Sequence, residues 1–291
     1  MKKSYLTNVI LLLLIIGLYW FINYQPVQVE SHRLSTLLAK QVNDIKIQRY
    51  KRDDIVLHKE GQQWHIKQPI QASANTTRIN LILDLLSSHS QGQLNLDSKL
   101  SLQQFDLDPA KITLQINDQQ FEFGNTEPLS KYRYILYDNI IHLLNDTVAP
   151  LLNANAASFI NNRLFSEELN ITRLSLPALD NQQVHSAFLS IKLIDGHWKT
   201  QGDTLSTDQL TSLVTAWQNA YAMQVLPLTA DKIQHAIGQD IMVEFSNQTT
   251  TTLLLQFNHQ TMSLIDAKKK LKYQFPLSVT EQLFPIKDSA N

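Results

Sequence analysis

The strands and helices that this sequence predicts come in one order that occurs twice, and this duplication constrains the fold more than any other feature. The first copy begins with three runs of alternating apolar and polar residues, with a predicted hairpin turn at Glu60-Gly61. An amphipathic helix capped by Ser73 follows, then four more strand-like runs and a closing helix from Thr147 to Phe159. The apolar face of the first helix consists of Ile79, Ile82, Leu83 and Leu86.

The second copy starts near Ile171 and repeats these steps. Gly196-His197-Trp198 takes the place of the glycine turn and the strand tryptophan, Trp64, and a helix capped by Ser206 follows. The chain is therefore predicted to be α+β, with an N-terminal transmembrane helix and two similar strand-rich α/β repeats with antiparallel sheets. The predicted boundaries are 1–24 for the anchor and its short cytoplasmic N-terminus, 25–44 for a stalk, 45–165 for the first repeat and 166–291 for the second.

An uncharged run from Tyr5 to Tyr24 follows Lys2 and Lys3 and predicts a membrane anchor. Twenty helical residues at about 1.5 Å each match the roughly 30 Å hydrocarbon core. The lysines favour a cytoplasmic N-terminus, which places the body on the other side of the membrane, tethered to it by a single pass. The residues predicted to mark the anchor are Tyr5, Val9, Leu12, Ile16, Trp20 and Tyr24.

A cleaved signal peptide is the alternative to an anchor. It is disfavoured because the residues after the apolar run, QPVQVESHR, lack a small-x-small cleavage pattern. Between the anchor and the first repeat, the apolar spacing from Leu34 to Ile45 predicts a short stalk helix that lifts the body off the bilayer.

The composition disfavours several classes of site. Hydrophobic residues make up 43% of the chain and charged residues 18%, as in a folded protein. Cysteine is absent, which excludes thiolate metal sites and cysteine nucleophiles, and a net charge of −1 disfavours nucleic-acid binding. The standard nucleotide-binding and catalytic motifs are absent from the sequence, and its glycines stand singly, so a phosphate-binding loop is difficult to build.

Two groups of residues have the chemistry of metal ligands. His58 and His65 flank the first hairpin turn, near Glu60, but no third ligand stands at a convincing spacing, so solvated histidines are predicted. Asp106 and Asp108 form a D-x-D pair before a proline, a setting that predicts a turn with capping side chains rather than a cation clamp. We therefore predict no catalytic, cofactor-binding or metal-binding residue.

Two further stretches have the composition of contact surfaces. The run Lys268-Lys269-Lys270 is expected in a hairpin turn, where lysines discourage strand aggregation; attraction to anionic lipid headgroups is the alternative. Trp217, Tyr221 and Met223, near the end of the second helix, suit a partner-binding patch, although the spacing of Trp217 favours a place in the core.

Three motifs in the first copy follow one another in an order typical of one bacterial family. They are Trp64, Ile66 and Pro69 at a strand end, Phe105, Leu107 and Pro109 at a turn, and Gly124 before a strand that bears Tyr132 or Tyr134. Together they resemble the family catalogued as domain of unknown function 4340, over about Ile45 to Phe165. Asp106 stands where the family usually has a turn glycine, a position that aspartate tolerates.

The resemblance implies a membrane-anchored, extracytoplasmic protein, and some members are encoded near ABC-type transporters linked to gliding motility. It supplies no catalytic residues. It singles out residues that mark the fold, namely Trp64, Pro69, Gly124, Tyr134 and, by the repeat, Trp198. Because a tryptophan recurs at the same step of both copies, we expect Trp64 to fill space between sheet and helix rather than to bind a ligand.

These observations predict a membrane-tethered accessory or binding protein of the bacterial cell envelope, without catalysis or a cofactor. Its expected partners are the inner membrane and an envelope protein, in an accessory role beside a transport or envelope complex. The alternative is an enzyme or ligand-binding protein with a site in the cleft between the two repeats, where ligand sites are common. A purely structural spacer is a third hypothesis.

Overall fold

The structure is a computed structural model, and it describes residues 2–23, 32–97, 100–180, 183–201 and 205–285. Beyond an N-terminal helix, the described residues form two large antiparallel sheets, a small two-stranded sheet and several short helices. The protein is therefore strand-rich α+β with modest helix content, which confirms the predicted fold class in this respect.

The N-terminal helix α1 extends over Lys2–Asn23. Its large apolar side chains between Ile10 and Phe21, which include Leu12, Ile16 and Trp20, are 50% to 84% exposed, and Tyr5 is exposed as well. Over the part of the chain that the structure describes, no helix is both long enough and apolar enough to span a membrane. The side chain of Val9 and the whole of Tyr24 lie outside the described residues.

The first unit contains eleven strands and two short helices, α2 (Thr76–Leu83) and α3 (Ala149–Leu152). Nine of the strands form one sheet, in the order β5-β4-β3-β2-β8-β9-β10-β11-β7, and β1 pairs with β6 separately. The strands are β1 (His32–Arg33), β2 (Asp44–Arg49), β3 (Arg52–Glu60), β4 (Gln63–Gln68), β5 (Ala72–Ser73), β6 (His89–Ser90), β7 (Gly92–Asn95), β8 (Ile112–Ile116), β9 (Gln119–Thr126), β10 (Arg133–Tyr137) and β11 (Ile140–Leu144).

The second unit forms an eight-stranded sheet, in the order β14-β13-β12-β16-β17-β18-β19-β15. The strands are β12 (Ile171–Asp180), β13 (Gln183–Ile194), β14 (His197–Thr200), β15 (Gln224–Pro227), β16 (Gln239–Phe245), β17 (Thr250–Phe257), β18 (Thr261–Asp266) and β19 (Leu271–Pro276). Its helices are α4 (Thr207–Gln218), α5 (Ala230–Gln234) and α6 (Thr280–Leu283). Strand for strand, this order equals β4-β3-β2-β8-β9-β10-β11-β7 of the first sheet, and β5 has no counterpart.

The predicted stalk helix is replaced by irregular chain that belongs to the first unit. The segment contains one 3-10 turn at Ala39–Gln41, and β2 already begins at Asp44. Leu34 and Val42 are buried in the core, and Ser35 Oγ donates to Gln119 Oε1 at 2.7 Å. Leu34 and Val42 therefore fill the core although Leu38 is exposed, and residues 32–44 pack against the body.

The two longest helices of the body, α2 and α4, begin at side-chain caps, one of which differs from the prediction. Asn75 caps α2 by accepting from Arg78 N at 3.2 Å, whereas Ser73 pairs with His65 on the neighbouring strand. Ser206 caps α4 as predicted, in a reciprocal capping box with Gln209. The predicted closing helix from Thr147 to Phe159 is interrupted after α3, and a separate 3-10 turn occupies Ala156–Phe159.

The two units are joined by residues 160–169, the connector, which bonds to both through its backbone. On the first unit's side, Asn161 N donates to Ser73 O at 2.8 Å. On the second unit's side, Leu164 N donates to Ala220 O at 3.0 Å and Ala222 N donates to Asn162 O at 2.8 Å. The connector's apolar side chains pack into a core that both units share; they are Ile160, Leu164 and Phe165.

In the first unit, the turn before the β8–β9 hairpin packs against β9. In the second unit, the turn before the β16–β17 hairpin packs against β17. In each unit a glycine permits the close approach. A Cβ on Gly124 of β9 would lie 2.2 Å from the carbonyl oxygen of Phe105 in the turn. A Cβ on Gly238 in the second unit's turn would lie 2.2 Å from the carbonyl oxygen of Leu255 on β17. The contact is therefore the same in both units, with the glycine on the strand in one and on the turn in the other.

The turn beside Gly124 closes a small apolar cluster on this side of the first sheet. Phe105, Leu107 and Ile141 are its buried members, and the ring of Tyr134 packs edge-on against Phe105 with centroids 4.8 Å apart. Asp106 adopts a left-handed conformation (φ 61°, ψ 31°), which glycine and aspartate tolerate better than most residues. This conformation agrees with the prediction that aspartate is tolerated at this turn position.

We expect Gly124→Ala to lower the free energy of unfolding by about 1–3 kcal/mol, because the new methyl group would force the turn and β9 apart. Gly92→Ala is the matched control, since a Cβ there would lie 3.6 Å from Leu143 Cδ1, an ordinary contact. Chemical denaturation of both variants measures the difference. Equal effects of the two substitutions would contradict the close approach.

Candidate functional site

A cleft of about 720 Å³ lies between the two units, and we call it the inter-unit cleft. Strands β4 and β5 form one wall, the connector forms another, and the third comes from the second unit at Lys269, Leu271 and Tyr273. Its volume is within the roughly 300–1,000 Å³ range of small-molecule pockets. Three elements distant in sequence therefore converge on one concave site.

The floor of the inter-unit cleft is apolar and tightly packed. Trp64 and Ile66 of β4, Leu164 and Phe165 of the connector, and Tyr273 of β19 line it, and each is at most 3% exposed. Burial, and after it the charge of Asp266, raise the pKa of Tyr273 well above its usual range. Tyr273 is therefore a neutral hydrogen-bonding group at ordinary pH.

The positive charges at the cleft are held by carboxylates of the protein. Lys67 pairs with Glu60, and its hydrogen bond and charge keep the pKa of that carboxyl below the ordinary value. Lys269 Nζ lies 3.3 Å from Oδ2 of Asp266, whose side chain is only 3% exposed.

The negative charges at the cleft have partners as well. Glu167 Oε1 lies 3.1 Å from Arg163 Nε, and Glu168 Oε1 accepts a hydrogen bond from Gln63 Nε2 at 2.8 Å. Although Glu167 and Glu168 are adjacent in sequence, their side chains contact different partners. They do not form a facing acid/base pair.

Neutral hydrogen-bonding side chains make up much of the remaining surface. In the part of the chain that the structure describes, five of them make no side-chain hydrogen bond within the protein. They are Gln62, Gln71, Ser73, Thr76 and Ser166. Amides and hydroxyls both donate and accept, so this surface can bind ligand groups of either kind.

The two histidines considered as metal ligands face each other across β3 and β4 but bond to separate carboxylates. His58 Nδ1 lies 2.6 Å from Asp44 Oδ1, and His65 Nε2 lies 3.8 Å from Glu60 Oε2. Among the residues described, no group of three or more histidines and carboxylates is arranged to hold a metal ion. Asp106 of the D-x-D pair instead bonds to Lys111 at 2.5 Å, within a turn.

The predicted contact surfaces lie apart from the floor of the cleft. Trp217 is fully buried and its Nε1 donates to Leu283 O at 2.5 Å, whereas Tyr221 and Met223 are exposed. The lysine run 268–270 occupies the turn between β18 and β19, and of its three lysines Lys269 alone reaches the cleft lining.

The residues predicted to mark the fold fall in different environments. Trp64 is 3% exposed in the shared core, and Trp198 is partly buried against the same core. Gly124 and Tyr134 lie at the small cluster around Phe105, and Pro69 is exposed directly after β4. Trp64 alone of the five lines the cleft. The five polar side chains of the cleft that make no hydrogen bond within the described residues were not predicted as site residues, because isolated glutamines, serines and threonines carry no pattern that identifies a site.

Antiparallel sheets with few helices define the class of this protein as strand-rich α+β. The family model described as domain of unknown function (DUF4340) matches residues 64–240, more than half of the chain, and the chain belongs to this family. The match confirms the resemblance drawn from the motifs but covers a different range, since it begins at Trp64 and continues to Asp240 in the second unit. No curated protein and no solved structure matches the chain.

We expect Trp64→Ala to lower the free energy of unfolding by about 3–5 kcal/mol, as for other large-to-small substitutions in a core. Trp198→Ala is the matched control and should cost less, because Trp198 is only partly buried. Thermal unfolding followed by circular dichroism measures both. An unchanged melting temperature in Trp64→Ala, accompanied by loss of a binding activity, would instead make Trp64 a contact residue.

Proposed function

We propose that the protein is a membrane-tethered, non-catalytic accessory or binding protein of the bacterial cell envelope. In this proposal α1 crosses the inner membrane once and holds the two-unit body in the periplasm, beside a transport or envelope complex. The observation that carries the proposal is the exposure of the apolar side chains of α1 from Ile10 to Phe21. A helix that is apolar on all sides is stable when buried in protein or in lipid, and the body does not bury this one.

The length of the apolar run limits how α1 spans the bilayer. The described side chains from Ile10 to Phe21 cover about 18 Å of helix, less than the roughly 30 Å hydrocarbon core. The proposal therefore requires the uncharged residues on both sides, from Tyr5 to Val9 and from Ile22 to Tyr24, to lie in the membrane. Lys2 and Lys3 then remain on the cytoplasmic side.

Two observations support a binding role for the body. The common strand order of the two sheets supports the proposal that the body consists of two copies of one unit, a plan that creates a cleft at their junction. The charged groups in that cleft are held in pairs, as in a stable wall, rather than directed at a common point as a catalytic centre requires. These observations favour binding of an envelope partner or a ligand over a purely structural spacer.

A second candidate function is ligand binding in the inter-unit cleft, by a ligand-binding protein or by an enzyme whose substrate binds there. It is favoured by the size of the cleft and by its walls, which come from both units and the connector. The two candidates are compatible, since a tethered body can present a ligand site to the periplasm.

We expect the full chain to remain in the membrane pellet after carbonate extraction, and added protease to digest its body in spheroplasts. Leu12→Arg/Ile16→Arg should move the protein to the soluble fraction, because each arginine costs about 2.5–3.5 kcal/mol at the centre of a membrane helix. Immunoblots of the fractions measure both results.

The matched control is Leu129→Arg/Ile237→Arg, which places the same charges at two highly exposed apolar positions of the body and should leave the protein in the pellet. Wild-type protein in the soluble fraction would contradict the tether. Crosslinking in native membranes, followed by pull-down, then tests the partner. Recovery of the protein without any specific envelope component would contradict the accessory role.

A further inference from the structure

We infer that the inter-unit cleft binds a neutral, hydroxyl-rich ligand, of the chemistry of a short saccharide segment. This inference rests on the second candidate function, ligand binding in the cleft, and adds the chemical class of the ligand. Three observations support it. The charged groups in the walls have partners within the protein, several polar side chains make no hydrogen bond within the part of the chain that the structure describes, and the nearby edge of β5 is paired with the connector.

The charged groups at the cleft already have partners within the protein. In the described residues, five charged side chains and one histidine line the cleft, and each lies against another group of the protein: Lys67, Arg163, Glu167, Glu168, Lys269 and His65, whose Nε2 is 3.8 Å from Glu60 Oε2. An anionic ligand would have to compete with Glu60, Glu167 or Asp266 for its cation. Asp266 is almost fully buried, so separating it from Lys269 would leave a carboxylate without its counter-charge in a poorly solvated place.

The polar side chains that make no hydrogen bond among the described residues are suited to bind hydroxyl groups. Gln62 directly precedes β4, Gln71 directly precedes β5, Ser73 is in β5, and Ser166 lines the cleft from the connector. Side-chain amides and hydroxyls donate and accept at the same site, which is what a hydroxyl of a sugar requires of its partner. Each such bond contributes only about 0.5–1.5 kcal/mol net, so the ligand needs several hydroxyls.

An extended peptide is the main neutral competitor, because peptides bind by adding a strand to an open sheet edge. Here that edge is occupied. Ser73 of β5 pairs with His65 on one side, and on the other side its carbonyl accepts the hydrogen bond from Asn161 of the connector. Ala74 likewise forms a bridge with Ile160. The edge at Ser73 and Ala74 is therefore already paired with the connector and is closed to a peptide strand.

The test is isothermal titration of the full chain in a sugar-free detergent with four probes. Two are neutral tetrasaccharides, of N-acetylglucosamine and of glucose; the others are tetra-alanine and inorganic phosphate. We expect saturable binding of at least one tetrasaccharide, with a Kd below about 1 mM, and none of tetra-alanine or phosphate. Gln62→Ala/Gln71→Ala should weaken that binding about tenfold or more, because both residues are exposed and lose only ligand contacts.

Gln260→Ala/Gln282→Ala is the matched control, since both glutamines are exposed and outside the cleft lining, and it should bind as the wild type does. The inference is overturned if neither tetrasaccharide binds, if the cleft variant binds unchanged, or if phosphate or tetra-alanine binds instead. If the titration shows no saccharide binding while the membrane fractionation and the pull-down give the expected results, only the ligand class is wrong. Loss of membrane association removes the tether and leaves the titration result standing.

Discussion

The packing of the connector between the two units is the interaction on which the rest of the structure depends. Three of its side chains, Ile160, Leu164 and Phe165, are buried, and burying a large apolar side chain contributes about 1.5–3 kcal/mol. The backbone bonds to Ser73 and Ala220 contribute less, about 0.5–1.5 kcal/mol each. Packing therefore holds the units together, while the hydrogen bonds set the register of the connector against each of them and so the shape of the inter-unit cleft.

The two units keep one geometric constraint although their residues differ. Both bring a turn against the second strand of the central hairpin, and the glycine that permits this approach has opposite positions in the two. The consequences differ as well. In the first unit Phe105 and Leu107 are buried beside the contact, whereas Ile237 in the second unit is 88% exposed at the edge of an open groove of about 620 Å³. The close approach is thus common to both units, whereas the packing of apolar side chains around it differs.

Much of the fold follows from local sequence patterns, and the exceptions have physical causes. Alternation of apolar and polar residues identified the central strands of both sheets, because one face of each is buried. It missed the four-residue edge strands β7 and β15, in which buried and exposed positions do not alternate. The stalk prediction failed because Leu34 and Val42 have helical spacing but are buried by the first sheet, a tertiary effect that spacing alone does not contain.

The candidate site was predictable in position but not in composition. Two sheets with a common strand order favour a cleft where they meet, yet the chemistry of that cleft depends on where the connector places Ser166 and on which side of β4 and β5 remains open. The sequence does not distinguish polar side chains such as Gln62 and Gln71, which line a cleft, from polar side chains on a convex surface. Only the folded arrangement distinguishes them.

Native-state hydrogen exchange at the connector tests the central claim most directly, because a preformed cleft requires a connector that opens only with the whole body. The amide hydrogens of Asn161, Leu164 and Ala222 bond across the junctions with the two units. We predict that they exchange at the same free energy as those of the central strands β2 and β16. Exchange at a much lower free energy would show that the units separate locally, and it would contradict a cleft with fixed walls.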